Sequence, residues 1–215
     1  KIVKDYPSHK AVDSVLFRPL IDFELKNNLK INEKDVIIGW IGRLTTAMEV
    51  NETFDVFEKL ILINKKFKLL IVGDGPMKNE LIDRAKQNKY FDHVIFTGKV
   101  HYSLVPKYIS LMDIVPLIDI DPHGGSILRE AMSCGKVVIT VNGKSNAQSE
   151  FIEHMIDGIL VPAENRIKEA AKQIIWLKEN KQQRLIIGNN ARKKVEEEFS
   201  FMNLSRIVER ELTQI

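Results

Sequence analysis

The chain has 215 residues, of which 44% are hydrophobic and 28% charged. This composition is that of an ordinary folded domain, and it argues against disordered, collagen-like and coiled-coil classes. Its 32 Lys and Arg and 29 Asp and Glu give a net charge of +3. Because the two signs are mixed along the chain, nucleic acid is not expected as a partner. A single cysteine, Cys134, excludes an internal disulfide and favours a cytoplasmic setting.

Short apolar runs alternate with segments of helical period from Val36 onward. This alternation predicts an α/β fold, with a Rossmann-like parallel sheet of about six strands and helices on both faces. The predicted strands are residues 36–42, 67–73, 93–97, 113–118, 137–141 and 158–161. Pro116 is unfavourable in the fourth of them, because proline has no N–H for a central sheet.

Helices are predicted between the strands and after the last one. They cover residues 52–64, a segment beginning at Pro76, residues 126–134, and a C-terminal helical tail of 166–179, 182–199 and 203–213. The first helix carries an apolar stripe at helical spacing, formed by Phe54, Phe57, Leu60 and Ile61. Gly135 follows the helix predicted over 126–134, at the position where a glycine ends a helix. No internal repeat or long linker divides the chain.

Ligands of open parallel sheets bind beyond the carboxyl ends of the strands, so the loops after the strands are the candidate sites. Arg43 follows the first strand, where its guanidinium either pairs with a phosphate or forms a surface salt bridge. Gly73 opens a Gly-Asp-Gly-Pro turn that suits an anion at a helix start. Lys78 stands where a G-x-G-x-x-G motif requires its third glycine, so a plain strand-to-helix turn remains an alternative.

Among the candidate loops, the one after the fourth strand carries the most polar groups. Gly124 and Gly125 allow a close backbone approach to a ligand at a helix start, and Glu130 lies about one turn inside that helix. Its carboxylate either reaches back to a sugar hydroxyl or is an ordinary solvated surface group, and the flanking Ala131 and the Cys134-Gly135 exit favour a buried position. Asp119 and Asp121 form a D-x-D pair, but further oxygen ligands are not evident, so no metal site is predicted. His123 either contacts a ligand or caps the turn.

In order and spacing, these segments resemble the C-terminal, donor-binding domain of GT-B glycosyltransferases of the "glycosyl transferases group 1" family. The resemblance covers residues 12–212 and includes five segments. These are V-D-x-x-x-F-x-P at 12–19, G-R-L at 42–44, G-D-G-P at 73–76, G-K-V at 98–100 and E-A-M-S-C-G-K at 130–136. Residues 199–201 (F-S-F) are similar to the F-S-W that precedes the last helix of the family.

The resemblance implies a role for each candidate residue. Arg43 would contact the donor diphosphate, backbone near Val100 would contact the nucleobase, and Glu130 would bind the ribose. The remaining donor-binding positions are Gly73 and the amides of Gly124, Gly125, Ser126 and Ile127. The resemblance also implies that sugar is transferred with retention of anomeric configuration. Fixed positive groups, rather than a metal or another cofactor, would stabilise the leaving diphosphate.

Two positions depart from the family pattern. Met48 stands where the family has a lysine, and Pro122 stands where it has the glutamate that faces the donor sugar. Asp121 or Asp119 would then supply the missing carboxylate, and Asp121 is the nearer of the two. An alternative is a catalytically silent nucleotide-binding module on the same fold. A third hypothesis is another Rossmann-like enzyme, an epimerase or a dehydrogenase, although the incomplete G-x-G-x-x-G argues against a dehydrogenase.

The resemblance also predicts a domain division. Residues 1–20 would be an interdomain remnant, and residues 21–215 the nucleotide-sugar donor-binding domain. Because the chain begins at Lys1 without a methionine, we expect a piece of a longer enzyme whose N-terminal acceptor-binding domain is absent here, and we expect this piece to be inactive alone. The full-length enzyme would be free to associate peripherally with a membrane. The base, the sugar, the acceptor and the oligomeric state stay open.

Overall fold

A computed structural model describes residues 11–45, 50–118, 126–143 and 147–212 of the chain. Within those residues six strands form one parallel sheet in the order β3-β2-β1-β4-β5-β6. The strands are β1 Val36–Ile41, β2 Phe67–Val72, β3 Val94–Phe96, β4 Ile114–Leu117, β5 Val137–Asn142 and β6 Ile159–Pro162. The predicted Rossmann-like α/β sheet is thereby confirmed.

The central strand β4 forms despite its proline. β4 lies between β1 and β5, and Pro116 is in register with Ile139 of β5. On the other side, the registered pair between β1 and β4 is Ile38 with Ile114, so that ladder does not extend to the proline. Asp113 reinforces this junction, because both its backbone N–H and its carboxylate Oδ2 bond to the backbone of Ile37, at 2.8 Å each.

Helices connect the strands and follow the sheet. They are α1 Phe23–Asn28, α2 Val50–Ile63, α3 Lys78–Gln87, α4 Val105–Leu111, α5 Ile127–Ser133, α6 Arg166–Glu179, α7 Lys181–Lys194 and α8 Phe201–Leu212. Short 3-10 turns cover Phe91–His93, Tyr102–Leu104 and Ala147–Phe151, and a π-helical turn, Val195–Phe199, continues α7.

Several element boundaries differ from the sequence prediction, and backbone hydrogen bonds explain two of them. The helix predicted from Pro76 is α3, which begins at Lys78, because the residues before it form a turn in which the Lys78 N–H donates to the Gly75 oxygen at 3.1 Å. The third strand begins at Val94, because His93 belongs to a 3-10 turn closed by its N–H on the Tyr90 oxygen at 2.9 Å.

Helices cover both faces of the sheet, as predicted. One face packs against α2, α3 and α6, and the predicted apolar stripe of α2 (Phe54, Phe57, Leu60 and Ile61) is buried there. The other face packs against α4, α5 and α7. The predicted helical tail is present, and its first two helices also contribute buried side chains to these layers.

The segment 12–17 belongs to the second layer. Val12 and Phe17 are buried in it, at 3% and 0% exposure. The Val12 N–H donates to the Phe199 oxygen at 2.8 Å, and the Phe201 N–H donates to the Val12 oxygen at 3.1 Å. Ser133 Oγ, at the end of α5, donates to the Phe17 oxygen at 2.5 Å. The segment is therefore held against α5 and against the junction of α7 with α8.

Candidate functional site

The loops after β1, β2 and β3 are joined backbone to backbone at the carboxyl edge of the sheet. The Gly42 N–H donates to the Val72 oxygen and the Leu44 N–H to the Asp74 oxygen, both at 3.0 Å. The Gly73 N–H in turn donates to the Gly98 oxygen at 3.0 Å. These three loops therefore form one connected surface at the edge where ligands of parallel sheets bind.

Two glycines make that contact sterically possible. A Cβ built on Gly73 would lie 1.9 Å from the Gly42 oxygen, and a Cβ on Gly75 would lie 2.4 Å from the Leu44 oxygen. Gly73 also has φ +145°, a conformation that other L residues rarely adopt. The Gly-x-Gly turn therefore has a packing role here, in addition to any role at a ligand.

Arg43 lies on this surface with an exposed side chain. Its neighbour Leu44 is fully buried and anchors the loop in the apolar core. In the part of the chain that the structure describes, Arg43 forms no ion pair. The surface salt bridge that the sequence left open is therefore not seen among those residues, and the guanidinium is available to an anion.

Glu130 is buried on α5, with 4% exposure, as its neighbours predicted. Ser126 Oγ donates a short hydrogen bond to its Oε1, and Tyr102 OH donates to the same oxygen at 3.3 Å. Oε2 receives no hydrogen bond from the described residues. One oxygen is thus held by the protein while the other is available to a ligand.

Burial dominates the electrostatics of this carboxyl. Desolvation raises the pKa of Glu130, opposed by the hydrogen bonds from Ser126 and Tyr102 and by the charge of Arg129. Desolvation and the Glu130 charge together raise the pKa of Tyr102 to about 12. The phenol is therefore protonated at neutral pH and donates its hydrogen to the carboxylate.

Tyr102 is a contact that the sequence analysis missed. It lies in a 3-10 turn after β3, 28 residues before Glu130. No spacing rule joins two residues so far apart, and a weak signal was available only in the aromatic residue that follows the G-K-V segment. Val100, two residues earlier, is partly buried against the second core layer.

The remaining predicted site residues divide into two groups. Ser126 and Ile127 are at the start of α5, next to Glu130, as the sequence predicted. Others lie outside the described residues, namely Met48, Asp119, Asp121, Pro122, His123, Gly124 and Gly125. Among the residues that the structure describes, no cluster of His, Cys, Asp or Glu is arranged to hold a metal ion.

The sheet order places these groups at a topological switch point. The chain runs outward from β1 to β2 and β3, then returns to place β4 on the other side of β1. Arg43 follows β1, and α5, which carries Glu130, follows β4. The two residues therefore lie on elements that follow the two strands at the switch point. This arrangement is that of the doubly wound α/β domains, in which ligands bind beyond the carboxyl ends of the strands at such a switch point.

Comparison with known proteins narrows the class to a family. The family model described as "Glycosyl transferases group 1" matches residues 22–194, and the chain belongs to that family. The chain is 28% identical over 176 residues to N-acetyl-alpha-D-glucosaminyl L-malate synthase of Bacillus anthracis. This match covers 82% of the chain and 45% of the synthase. The chain is also 25% identical over 176 residues to a GDP-mannose-dependent alpha-(1-6)-phosphatidylinositol monomannoside mannosyltransferase of Mycobacterium tuberculosis. That match covers 77% of this chain and 45% of the enzyme. The chain spans about half the length of these relatives.

Solved structures share the fold, which is one half of the GT-B architecture. Anabaena HepE in complex with UDP superposes with a TM-score of 0.79 at 21% identity, covering 95% of this chain and 56% of HepE. The C-terminal domain of LpcC, a group 1 family protein from Francisella tularensis, superposes with a TM-score of 0.76 at 21% identity. That match covers 89% of this chain and 100% of the LpcC domain.

None of the described helices is long and apolar enough to cross a membrane.

Proposed function

We propose that this chain is the donor-binding half of a glycosyltransferase and binds a nucleoside-diphosphate sugar at the carboxyl edge of its sheet. The observation that carries the proposal is Glu130, a buried carboxylate with one oxygen held by two hydroxyl groups and the other unbound by the described residues. A buried charge without a ligand is costly, so such a group is typical of a binding site. A ribose supplies hydroxyl donors that match the unbound oxygen.

Arg43 supplies the second half of the donor site. It is exposed on the loop after β1, next to the strand that precedes α5, and it has no ion-pair partner among the described residues. In this proposal its planar guanidinium pairs with the diphosphate through two donors. The amides of Gly124, Gly125, Ser126 and Ile127 complete the phosphate site, and backbone near Val100 contacts the base.

The proposed reaction is sugar transfer with retention of configuration and without a metal. Arg43 and the backbone amides would stabilise the negative charge that develops on the departing diphosphate, as fixed donors do in enzyme sites. Asp121 would supply the carboxylate that the family pattern places at Pro122.

We further propose that the complete enzyme works in the cytoplasm and associates peripherally with a membrane.

A nucleotide panel tests donor binding. Titration with UDP, GDP, ADP and NAD⁺ should give one nucleoside diphosphate that raises the melting temperature, because a ligand at 100 times its Kd adds about 2.7 kcal/mol to the native state. A preference for NAD⁺ would instead support a dehydrogenase, and the absence of any shift would contradict the proposal.

A ribose comparison tests the role of Glu130. The wild-type chain should bind UDP, or whichever nucleoside diphosphate the panel selects, more tightly than its 2′-deoxy and 3′-deoxy analogues. Glu130→Gln should reduce that difference, since a neutral amide accepts a weaker hydrogen bond than a carboxylate. Glu80→Gln, at an exposed position of α3, is the matched control and should keep the wild-type preference.

The silent module remains the second candidate, because Met48 and Pro122 replace two family side chains. It predicts donor binding without transfer, even when an acceptor-binding domain is supplied. Product formation in that combined assay would exclude it.

A further inference from the structure

A series of side-chain contacts leads from Phe17, in the segment 12–17, through Tyr102 to the Glu130 carboxylate. The ring of Phe17, fully buried, meets the ring of Tyr102 edge to face, with centroids 5.4 Å apart and an angle of 62°. The hydroxyl of Tyr102 then donates to Glu130 Oε1 at 3.3 Å. Since 57% of Tyr102 is exposed, burial alone does little to order it, and these two contacts determine where its hydroxyl lies.

We propose that Tyr102 is a positioning residue that holds Glu130 Oε1, so that Oε2 is presented to the ribose of the bound donor. The proposal rests on the function proposed above. Ser126 Oγ donates to the same oxygen from the N-cap position of α5, and together the two donors fix the carboxylate plane. Without Tyr102 the carboxylate would have one anchor and more freedom to rotate about its last torsion.

Phe17 stabilises the position of Tyr102 through two contacts. Its backbone oxygen accepts from Ser133 Oγ at the end of α5, the helix that carries Glu130. Its ring fixes one edge of Tyr102 through an aromatic pair of the favoured geometry. The segment that holds Tyr102 is thus tied to the same helix as the carboxylate that Tyr102 holds.

The charged groups around Glu130 give the proposal a measurable consequence. Tyr102 and Ser126 donate to the carboxylate, Arg129 lies on the same helix, and Asp13 interacts with Tyr102 from the segment 12–17. The thiol of Cys134 is neutral, because burial raises its pKa to about 12. Removing the Tyr102 hydroxyl removes one of the interactions that favour the charged carboxylate, so the pKa of Glu130 should rise further.

The test compares Tyr102→Phe with Tyr108→Phe. The first variant keeps the ring and its contact with Phe17 and loses only the hydroxyl. The second removes a phenol on α4 that makes no described hydrogen bond to Glu130. Carbon NMR of the ligand-free protein follows the titration of the Glu130 carboxyl, assigned by its loss in Glu130→Gln. Calorimetry gives Kd for UDP and 2′-deoxy-UDP from about pH 5 to about pH 8.

We expect Tyr102→Phe to raise the pKa of Glu130 and to reduce the ribose preference about threefold, with the loss greatest at low pH. Tyr108→Phe should behave as wild type. An unchanged Glu130 titration in Tyr102→Phe would overturn the positioning role even if UDP binds well. Conversely, a shifted titration in a protein that binds no nucleotide would contradict the proposed function and leave the contact between Tyr102 and Glu130 intact.

Discussion

Gly73 packs directly against the backbone of Gly42, and this contact sets the position of the loop that carries Arg43. A Cβ on Gly73 would lie 1.9 Å from the Gly42 oxygen, and the positive φ of Gly73 adds strain to any substitution. The backbone of Gly73 also donates to Gly98. One glycine therefore connects the loops after three neighbouring strands.

Gly73→Ala should therefore destabilise the chain and weaken nucleotide binding together. We expect a loss of about 3 kcal/mol in the free energy of unfolding, from the clash and the unfavourable φ. Urea denaturation measures the loss, and titration with UDP measures the displacement of the Arg43 loop. Gly143→Ala is the control, because a Cβ there meets nothing within 4 Å. Equal stability of the two variants would contradict the packing argument.

Arg43→Ala should weaken nucleoside diphosphate binding without affecting stability. Loss of a charge-assisted contact of about 1.5–3 kcal/mol corresponds to at least a tenfold rise in Kd for UDP. The affinity for uridine should not change, since uridine has no phosphate. Lys34→Ala removes an exposed cation at the opposite end of β1 and should leave both affinities unchanged. A Kd for UDP that stays at the wild-type value would remove Arg43 from the site.

The pattern of apolar residues predicted the main elements of the fold. All six strands were identified, and α6 has the predicted bounds, because a long amphipathic helix repeats its apolar face over several turns. The helices α1 and α4 were missed. They have 6 and 7 residues, too few to establish a period.

The site was only partly predictable from the sequence. Loop glycines and the burial of Glu130 were evident, because close approach and helix exits leave local residue patterns. The hydrogen bond between Tyr102 and Glu130 left no such pattern beyond the aromatic residue after the G-K-V segment, since it depends on how the turn after β3 faces α5 across the carboxyl edge. That relation comes from the sheet order, which is a property of the folded chain.

Glu130→Gln should stabilise the chain at neutral pH. Desolvation raises the pKa of Glu130 in the folded state above its unfolded value, so the folded state binds the proton more readily. Stability is then lost as the pH rises through the folded pKa, because the buried carboxyl becomes charged. The gain from Gln should therefore be present at about pH 8 and should disappear near the unfolded pKa of about 4.3. Urea denaturation across this range measures it, and Glu80→Gln should show no such pH dependence. A Glu130→Gln variant that is less stable at every pH would contradict the argument.

Asp121→Asn should weaken binding of the donor sugar and leave binding of the nucleotide unchanged. The residue precedes the glycine pair and is the nearest acid to the position of Pro122. We expect the ratio of the Kd values for UDP-sugar and UDP to rise, since the carboxylate would contact only the sugar hydroxyls. Asp119→Asn is the matched control and should keep the wild-type ratio. A donor complex with Asp121 turned to solvent would exclude this role and favour the silent module.

These 215 residues alone should bind the donor and transfer no sugar. The relatives matched are about twice as long, and the chain corresponds to the C-terminal domain of LpcC over the whole of that domain. The resemblance to GT-B enzymes implies a second domain that would supply the acceptor site and close the cleft. In the 215 residues alone, water would enter the donor site and would weaken the electrostatic stabilisation of the departing diphosphate.

The measurement pairs the purified chain and its best-binding donor with a panel of acceptors, with and without an acceptor-binding domain supplied in trans or by fusion. Donor affinity should be measurable in both cases, and product should form only when the second domain is present. The unfused chain with Arg43→Ala serves as the control for background hydrolysis of the donor. Robust product formation by the unfused wild-type chain would show that a single domain suffices for transfer, against the prediction.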